Sequence, residues 1–261
     1  MPELVEVERY RALAEATALD RAIASVDAPD GWYLKRGADG PALTAALRGE
    51  SFVAARRRGK LLMLDTLGGA VLGLHFGMSG RLLVDGLAGV DRLLYSPVAE
   101  EARYDRFRVL FADGGAMAMR DPRRLGGVEL DPDEGRLGPD ALTVTRADLR
   151  RALGGATVAL KARLLDQSRL AGVGNLIADE ILWRAGLAPT RPAGGLSPAA
   201  LRRLHAHLGP GIAELIERGG SHTGELMPER RPGGRCPRDG ALLVRATVGG
   251  RTTWWCPRHQ R

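Results

Sequence analysis

Residues 164–189 read LLDQSRLAGVGNLIADEILWRAGLAP, which is two helical segments joined by a glycine-containing turn. Gly172 and Gly174 permit tight turning with positive φ between the segments. Asn175 is placed to cap the second helix. A helix N-terminus with exposed amides is suited to bind a phosphate. This stretch therefore predicts a helical element that contacts a phosphate backbone.

Along the chain, the predicted secondary structure changes once, from mainly strands before residue 131 to mainly helices after it. Residues 3–18 have apolar positions at three- and four-residue spacing, which predicts a helix. Residues 19–130 contain short apolar runs broken by Gly, Asp and Pro, which predicts antiparallel strands. We class the fold as α+β. The predicted domains are an antiparallel β-sandwich with its N-terminal helix at 1–130, a helical domain at 131–225 that contains the helix–two-turns–helix element at about 158–186, and a zinc-ribbon-like β-hairpin at 226–261.

Glycines mark the predicted turns between the strands and are frequent in the region after the last helix. Hairpin turns are expected at Leu67–Gly69, Gly77–Gly80 and Asp113–Gly115. Residues 219–235 are rich in Gly, Pro and Arg, which predicts a mobile basic loop.

The charge balance favours a polyanionic partner. The 261 residues include 38 Lys and Arg against 31 Asp and Glu, a formal net charge of +7. Neutralised phosphates release counterions, so a basic excess favours nucleic acid, although a merely soluble basic protein fits as well. Lysines are scarce, at positions 35, 60 and 161. No secretory signal and no apolar run of about 18 residues occur, so we expect a cytoplasmic, nucleoid-associated monomer without membrane contact.

The sequence opens with Met-Pro-Glu, which offers an amine nucleophile. Removal of Met1 would leave Pro2 with a free secondary amine, and an α-amino group is partly neutral near pH 7. A neutral amine attacks an electrophilic sugar carbon to form a Schiff base, and Glu3 can carry protons beside it. Proline followed by an acid is also ordinary chemistry for starting a helix.

Two glycine-flanked loops carry side chains suited to fill a gap in a DNA duplex. LHFGMSGRL at 74–82 places Met78 at a turn, and RDPRRLGG at 120–127 places Arg123 and Leu125 on another. Apolar wedges fill the space that an extruded base leaves. Met78 at a turn is equally compatible with a core methionine.

Four residues near the C-terminus have the spacing of a zinc ribbon. Cys236-Pro-Arg-Asp239 is followed after sixteen residues by Cys256-Pro-Arg-His259. Zinc accepts thiolate, imidazole and carboxylate ligands, so one structural Zn²⁺ is expected. A finger without zinc, held by packing of tryptophans 254 and 255, is the alternative.

Together these motifs resemble those of the formamidopyrimidine-DNA glycosylase and endonuclease VIII family, in the same order along essentially the whole chain. The opening MPELVEVE matches the family pattern except for Val5 in place of proline, and RRRGKLLML at 56–64 matches a lysine-bearing segment. The family carries four cysteines in its finger, where this chain has Asp239 and His259, and its formamidopyrimidine branch commonly has Phe where this chain has Leu125.

The resemblance implies a bifunctional DNA glycosylase and abasic-site lyase acting on damaged double-stranded DNA. By resemblance, Pro2 is the nucleophile and Glu3 the general acid and base. The remaining implied roles are sugar protonation or phosphate binding by Lys60, filling of the vacated space by Met78, Arg123 and Leu125, phosphate contacts by Lys161 and Asn175, and phosphate contact with assistance to elimination by Arg251.

One segment, residues 219–235, indicates which branch of the family the chain resembles more closely, and therefore which damaged bases it excises. Residues 219–235 are short and basic, which is closer to endonuclease VIII and predicts oxidised pyrimidines as substrates. A non-catalytic protein that binds lesions or abasic sites is the main alternative. A zinc-dependent hydrolase is disfavoured because the sequence lacks a His-Glu-x-x-His motif.

Overall fold

The computed structural model describes residues 2–90, 93 and 101–261. These residues form two compact units. The first contains Pro2 and residues 6–134, and the second contains residues 3–5 and 135–261. The predicted finger at 226–261 thus lies within the second unit, so the structure has two units where the sequence indicates three domains.

The first unit is built on two antiparallel sheets, as the sequence predicts. One sheet has the order β2 (Phe52–Arg58), β3 (Leu61–Thr66), β4 (Val71–His75) and β9 (Gly127–Leu130). The other has the order β1 (Ile23–Asp27), β7 (Asp105–Phe111), β8 (Ala116–Arg120), β5 (Arg81–Val84) and β6 (Leu87–Ala88). Apolar side chains from both sheets share one core because alternate residues of each strand face inward. The helices are α1 (Leu4–Thr17) and α2 (Gly40–Leu47).

The three turns predicted in the β region are confirmed, since they separate β3 from β4, β4 from β5, and β7 from β8. The register also brings three other segments to one end of a sheet. His75, at the end of β4, pairs with Leu61 at the start of β3 and with Gly127 at the start of β9. The β2–β3 turn and the segments following β4 and preceding β9 therefore lie at the same end of this sheet.

The second unit is helical and ends in a two-stranded hairpin, which confirms the predicted composition of this half. Its core is formed by apolar faces of the helices together with Leu4 and Val5. The elements are α3 (Arg146–Leu153), α4 (Leu160–Leu164), α5 (Asn175–Ala185), α6 (Pro198–Glu217), β10 (Val244–Val248) and β11 (Arg251–Trp255).

The N-terminus of α5 is capped differently from the prediction. Asn175 is the first helical residue and Gly174 occupies the cap position without a side chain. The carboxylate of Glu3 instead accepts the backbone N–H groups of Leu176 at 2.8 Å and Ile177 at 3.1 Å. These donors would otherwise lack partners, because the first N–H groups of a helix have none within it. Glu3 thus replaces the predicted Asn175 cap.

The two glycines before α5 serve different purposes. Gly172 has a φ of +110°, as predicted, whereas Gly174 is extended with a φ of −118°. A Cβ atom on Gly174 would lie 2.1 Å from Cδ of Glu3. Gly174 is therefore required for the close approach of the Glu3 carboxylate, and the predicted positive φ at this position is wrong.

The predicted mobile loop at 219–235 is also wrong, because short helical turns at Ser221–Thr223 and Met227–Glu229 are anchored to α5. The Glu180 carboxylate accepts the backbone N–H groups of Glu225 and Leu226. Such anchoring by a buried carboxylate does not show in composition.

Replacement of Gly174 with Ala tests the Glu3 cap. The new methyl group must displace the carboxylate from α5, so we expect the free energy of unfolding to fall by about 1–3 kcal/mol in urea denaturation. Gly40→Ala is the matched control, since a Cβ there meets nothing within 4 Å. Equal stability of the two variants would show that Glu3 does not hold the helix.

Candidate functional site

Pro2, the predicted nucleophile, directly precedes Glu3 in the chain, and the Glu3 side chain is anchored to α5. Pro2 is buried, and Glu3 is fully buried with both carboxylate oxygens bound to α5. The backbone N–H of Leu4 also donates to the carbonyl of Gly172 at 3.1 Å. Residue 2 is therefore attached to a fixed point in the chain, and the Glu3 carboxylate is itself the anion that binds the N–H groups at the start of α5. Met1 lies outside the described residues.

Lys60 lies in the tight turn between β2 and β3 rather than within a strand. Gly59 adopts a φ of +59°, which a two-residue hairpin turn requires and which glycine adopts without strain. The Lys60 side chain is half-buried. The turn places it at the end of the sheet where β4 ends, which is also the end from which the Met78 loop departs.

The two loops predicted to enter DNA lie against each other. Gly77 has a φ of +56°, and a Cβ atom there would lie 2.3 Å from the carbonyl carbon of Leu125. The backbones of the two loops are thus in direct contact. Met78 is half-buried, whereas Arg123 and Leu125 are exposed. Met78 is therefore not a core residue in this structure.

A buried aspartate that the sequence reasoning missed joins these loops. The Asp121 carboxylate accepts the Ser79 hydroxyl from the first loop and the backbone N–H groups of Arg123 at 3.1 Å and Gly126 at 2.8 Å from the second. A buried carboxylate needs several donors, and here the donors come from both loops. Nothing local to Asp121 in the sequence signals this role.

The structure places Lys161 inside the second unit and not on its surface. Its side chain is fully buried, and its ammonium donates to Asp179 at 2.6 Å and to the Thr253 hydroxyl at 2.8 Å. Burial lowers the pKa of Lys161, and the Asp179 carboxylate opposes that shift. Arg230 binds the other carboxylate oxygen of Asp179 at 2.8 Å. This arrangement corrects the expectation that Lys161 reaches a phosphate directly.

The remaining predicted residues of the second unit differ in exposure, since the side-chain oxygen of Asn175 is buried and Arg251 is exposed. Asn175 is half-buried at the start of α5, and its side-chain oxygen has no hydrogen-bond partner among the described residues. Arg251 is exposed at the start of β11, directly after the Gly249–Gly250 turn. A Cβ atom on Gly249 would lie 2.9 Å from Cβ of Ala162, so the tip of the hairpin packs on α4.

The four predicted ligands converge at the base of the hairpin. The candidate ligand atoms of Cys236, Asp239, Cys256 and His259 all lie within 4.8 Å of one another. The Cys236 sulfur is 3.4 Å from Nδ1 of His259, and the Cys256 sulfur is 3.4 Å from an Asp239 oxygen. A tetrahedral site with metal–ligand bonds of roughly 2.0–2.3 Å has edges of about 3.3–3.8 Å. These distances fit a four-coordinate metal.

Outer contacts orient the ligands toward a common centre. Nε2 of His259 is 3.1 Å from the carbonyl of Trp183, which leaves Nδ1 directed at the cluster. The Trp183 indole N–H donates to the Cys236 sulfur at 3.3 Å. The backbone N–H of Ala241 lowers the pKa of Asp239, which favours the ionised form that binds metal. The four residues are therefore close enough to hold a metal, and their outer contacts orient them toward it.

Comparison with protein families matches most of the chain. Residues 1–128 match the formamidopyrimidine-DNA glycosylase N-terminal domain, and residues 137–226 match the H2TH domain of the same enzymes. A formamidopyrimidine-DNA glycosylase of Cereibacter sphaeroides is 37% identical over all of both chains. One from Nocardioides is 33% identical over 98% of this chain and 93% of the relative.

Solved structures agree with these matches. A Lactococcus lactis Fpg bound to DNA containing FAPY-dG is 26% identical, covers 99% of this chain and 100% of its own, and has a TM-score of 0.84. The same enzyme in complex with abasic-site DNA has an equal TM-score and covers both chains fully. In the part of the chain that the structure describes, no helix has the length and apolar character needed to cross a membrane.

Replacement of Asp121 with Asn tests the link between the two loops. An amide has only one acceptor oxygen, so at least one of the three donors loses its partner, and we expect the free energy of unfolding to fall by about 2 kcal/mol. The affinity for lesion-containing duplex should fall with it. Asp39→Asn is the control, since Asp39 caps α2 at the surface and Asn caps equally well. Unchanged DNA affinity in Asp121→Asn would contradict the role.

Proposed function

The chain belongs to the formamidopyrimidine-DNA glycosylase family and is a DNA glycosylase of DNA repair, and from this premise we propose that it is also an abasic-site lyase whose nucleophile is the amine of Pro2. The observation that supports this proposal is the anchoring of the Glu3 side chain to α5. Two helix N–H groups hold the Glu3 carboxylate, so the residue bonded to Glu3 is held at a defined position in the chain.

The first step is displacement of the damaged base. The Pro2 nitrogen forms a bond to C1′ while the glycosidic bond breaks, and the base leaves with a proton. The reacting carbon passes through oxocarbenium character, as in glycoside cleavage generally. We assign proton transfer at the sugar to the Glu3 carboxyl, because Glu3 is bonded directly to Pro2 and carboxyl groups serve as general acids and bases. Opening of the sugar ring gives a cationic imine.

The second step is elimination driven by that imine. Loss of a proton from C2′ sends an electron pair toward the cationic nitrogen and expels the 3′ phosphate. A further elimination expels the 5′ phosphate and leaves a one-nucleotide gap. We assign phosphate binding during these steps to Arg251, because guanidinium binds phosphate in a fork and Arg251 is exposed at the hairpin tip. Lys60 and Asn175 are assigned to the sugar-phosphate of the lesion.

Two loops of the first unit would fill the gap that the damaged base leaves in the duplex when it is extruded. Met78, Arg123 and Leu125 lie on two loops that Asp121 joins, so they would enter DNA as one rigid element. Buried Lys161 has an indirect role in this proposal. It holds Asp179, whose other oxygen accepts the backbone N–H of Trp254 at 3.3 Å, and so it positions the hairpin that carries Arg251.

Two substrate classes remain candidates for the excised base. The segment at 219–235 is short and anchored to α5, which supports oxidised pyrimidines, as the sequence predicts. The curated relatives are named formamidopyrimidine-DNA glycosylases, which supports ring-opened purines. Single-turnover excision from otherwise identical duplexes with either lesion decides between them.

Borohydride trapping on a duplex with one abasic site tests the nucleophile. Protein verified by mass spectrometry to lack Met1 should form a covalent adduct, and peptide mapping should place the DNA on residue 2. We expect Pro2→Gly to reduce adduct formation by more than about tenfold, since its primary amine does not form a permanently cationic imine.

Protein that retains Met1 is the matched control, because its Pro2 nitrogen is an amide and cannot react. An adduct mapped to a lysine would overturn the role of Pro2. Lesion binding without any adduct would instead support a non-catalytic lesion-binding protein.

The monomeric state and the cytoplasmic, nucleoid-associated location of this protein stay predictions.

We also infer that the cysteine, aspartate and histidine cluster holds one structural Zn²⁺, which would contribute to the stability of the hairpin. Elemental analysis should give one zinc per chain. Asp239→Ala and His259→Ala should weaken metal binding by about 10-fold or more. Arg258→Ala, in the same knuckle but outside the cluster, should leave it unchanged. Full zinc content in the alanine variants would exclude these two residues as ligands.

A further inference from the structure

Trp32 is the one exposed aromatic side chain among the described residues, with 69% of its surface accessible. The other described tryptophans are buried or half-buried. A tryptophan combines a large apolar ring with a polar N–H edge, and this side chain is enriched at contact surfaces for that reason. The ring is therefore a candidate contact surface that the proposed chemistry does not use.

The turn that carries Trp32 is held in place on both sides. The adjacent Tyr33 is fully buried in the core of the first unit. On the other side, Asp30 accepts from Nε of Arg124 at 2.7 Å. The Trp32 ring is thus presented by a short helical turn that is anchored at both ends, Gly31–Tyr33.

The same contacts join this turn to the loop that carries Leu125. Arg124 and Gly126 flank Leu125, and both touch the Trp32 turn. Arg124 forms the ion pair with Asp30, and a Cβ atom on Gly126 would lie 2.4 Å from the Tyr33 hydroxyl. Leu125 is itself 47% exposed. Two exposed apolar side chains therefore stand on turns that are locked together.

The chemistry around the ring suits a nucleic acid. The Lys35 ammonium lies 4.7 Å from the centroid of the Trp32 ring and donates to the Trp32 carbonyl at 2.5 Å. Lys35 also lines a cavity of about 340 Å³ together with His75 and Leu125. An aromatic ring beside a cation is the combination with which proteins bind unpaired bases and their phosphates.

We propose that Trp32 stacks on the base of the undamaged strand that loses its partner when the lesion is extruded. The proposal rests on the proposed function, since it requires the Leu125 loop to enter the duplex. Leu125 is aliphatic, so it can occupy the gap but offers no ring for stacking. Trp32 lies on the turn that Arg124 and Gly126 connect to the Leu125 loop, and it supplies that ring.

Binding to two matched duplexes tests this role without any reaction at the sugar. One duplex has a tetrahydrofuran abasic analogue opposite a normal base, and the other has tetrahydrofuran in both strands, so that no base is available for stacking. Trp32→Leu should weaken binding to the first duplex by about tenfold and leave binding to the second unchanged. Trp32→Phe keeps a ring and should lose less than about threefold on the first duplex.

Leu67→Ala is the control for loss of an exposed apolar side chain, since Leu67 lies in the β3–β4 turn, away from the β2–β3 end of the sheet, and is 77% exposed. It should bind both duplexes like the wild type. Equal weakening of both duplexes by Trp32→Leu, or weakening of neither, would overturn the proposal. Failure of the proposed function shows separately, as absence of a borohydride adduct from wild-type protein on a reactive abasic site.

Discussion

The carboxylate of Glu3 at the N-terminus of α5 is the interaction on which the rest of the site depends. A helix start leaves N–H groups without partners and carries partial positive charge, so it requires either a cap or an anion. Gly174 provides no side chain, and Glu3 supplies the carboxylate to Leu176 from 173 residues earlier in the chain. The Glu3 carboxylate thereby gives two N–H groups of α5 their hydrogen-bond partner, and it also fixes the residue to which Pro2 is bonded.

The same solution, a buried carboxylate that accepts from separate segments, recurs at each part of the site. Asp121 joins the two loops of the first unit, Asp179 joins α5 to the hairpin, and Glu180 anchors the segment after α6. A buried carboxylate is costly unless its lone pairs are satisfied. That requirement makes each connection specific, because displacing any one segment leaves a buried charge without its donors.

The hairpin at the C-terminus shows how a motif tolerates substitution of its ligands. Asp239 and His259 stand at positions where the family resemblance leads one to expect thiolates, yet their atoms lie at distances that suit a tetrahedral metal. The arrangement is compatible with zinc, since zinc accepts oxygen and nitrogen donors and the Trp183 carbonyl orients the imidazole. Lys161 shows the opposite case, in which a residue type suited to phosphate is buried as a structural cation.

The sequence by itself determined the elements and their chemistry. Short apolar runs broken by Gly, Asp and Pro predicted the strands and their turns, and helical spacing predicted the second unit. The spacing of the finger residues identified the four side chains that converge. These features are local, since each depends on residues a few positions apart. The cap of α5, the anchoring of residues 219–235, the burial of Lys161 and the role of Asp121 were decided only by the tertiary structure. Each depends on donors and acceptors that meet from distant parts of the chain, and a single sequence carries no record of which distant partner satisfies a buried charge.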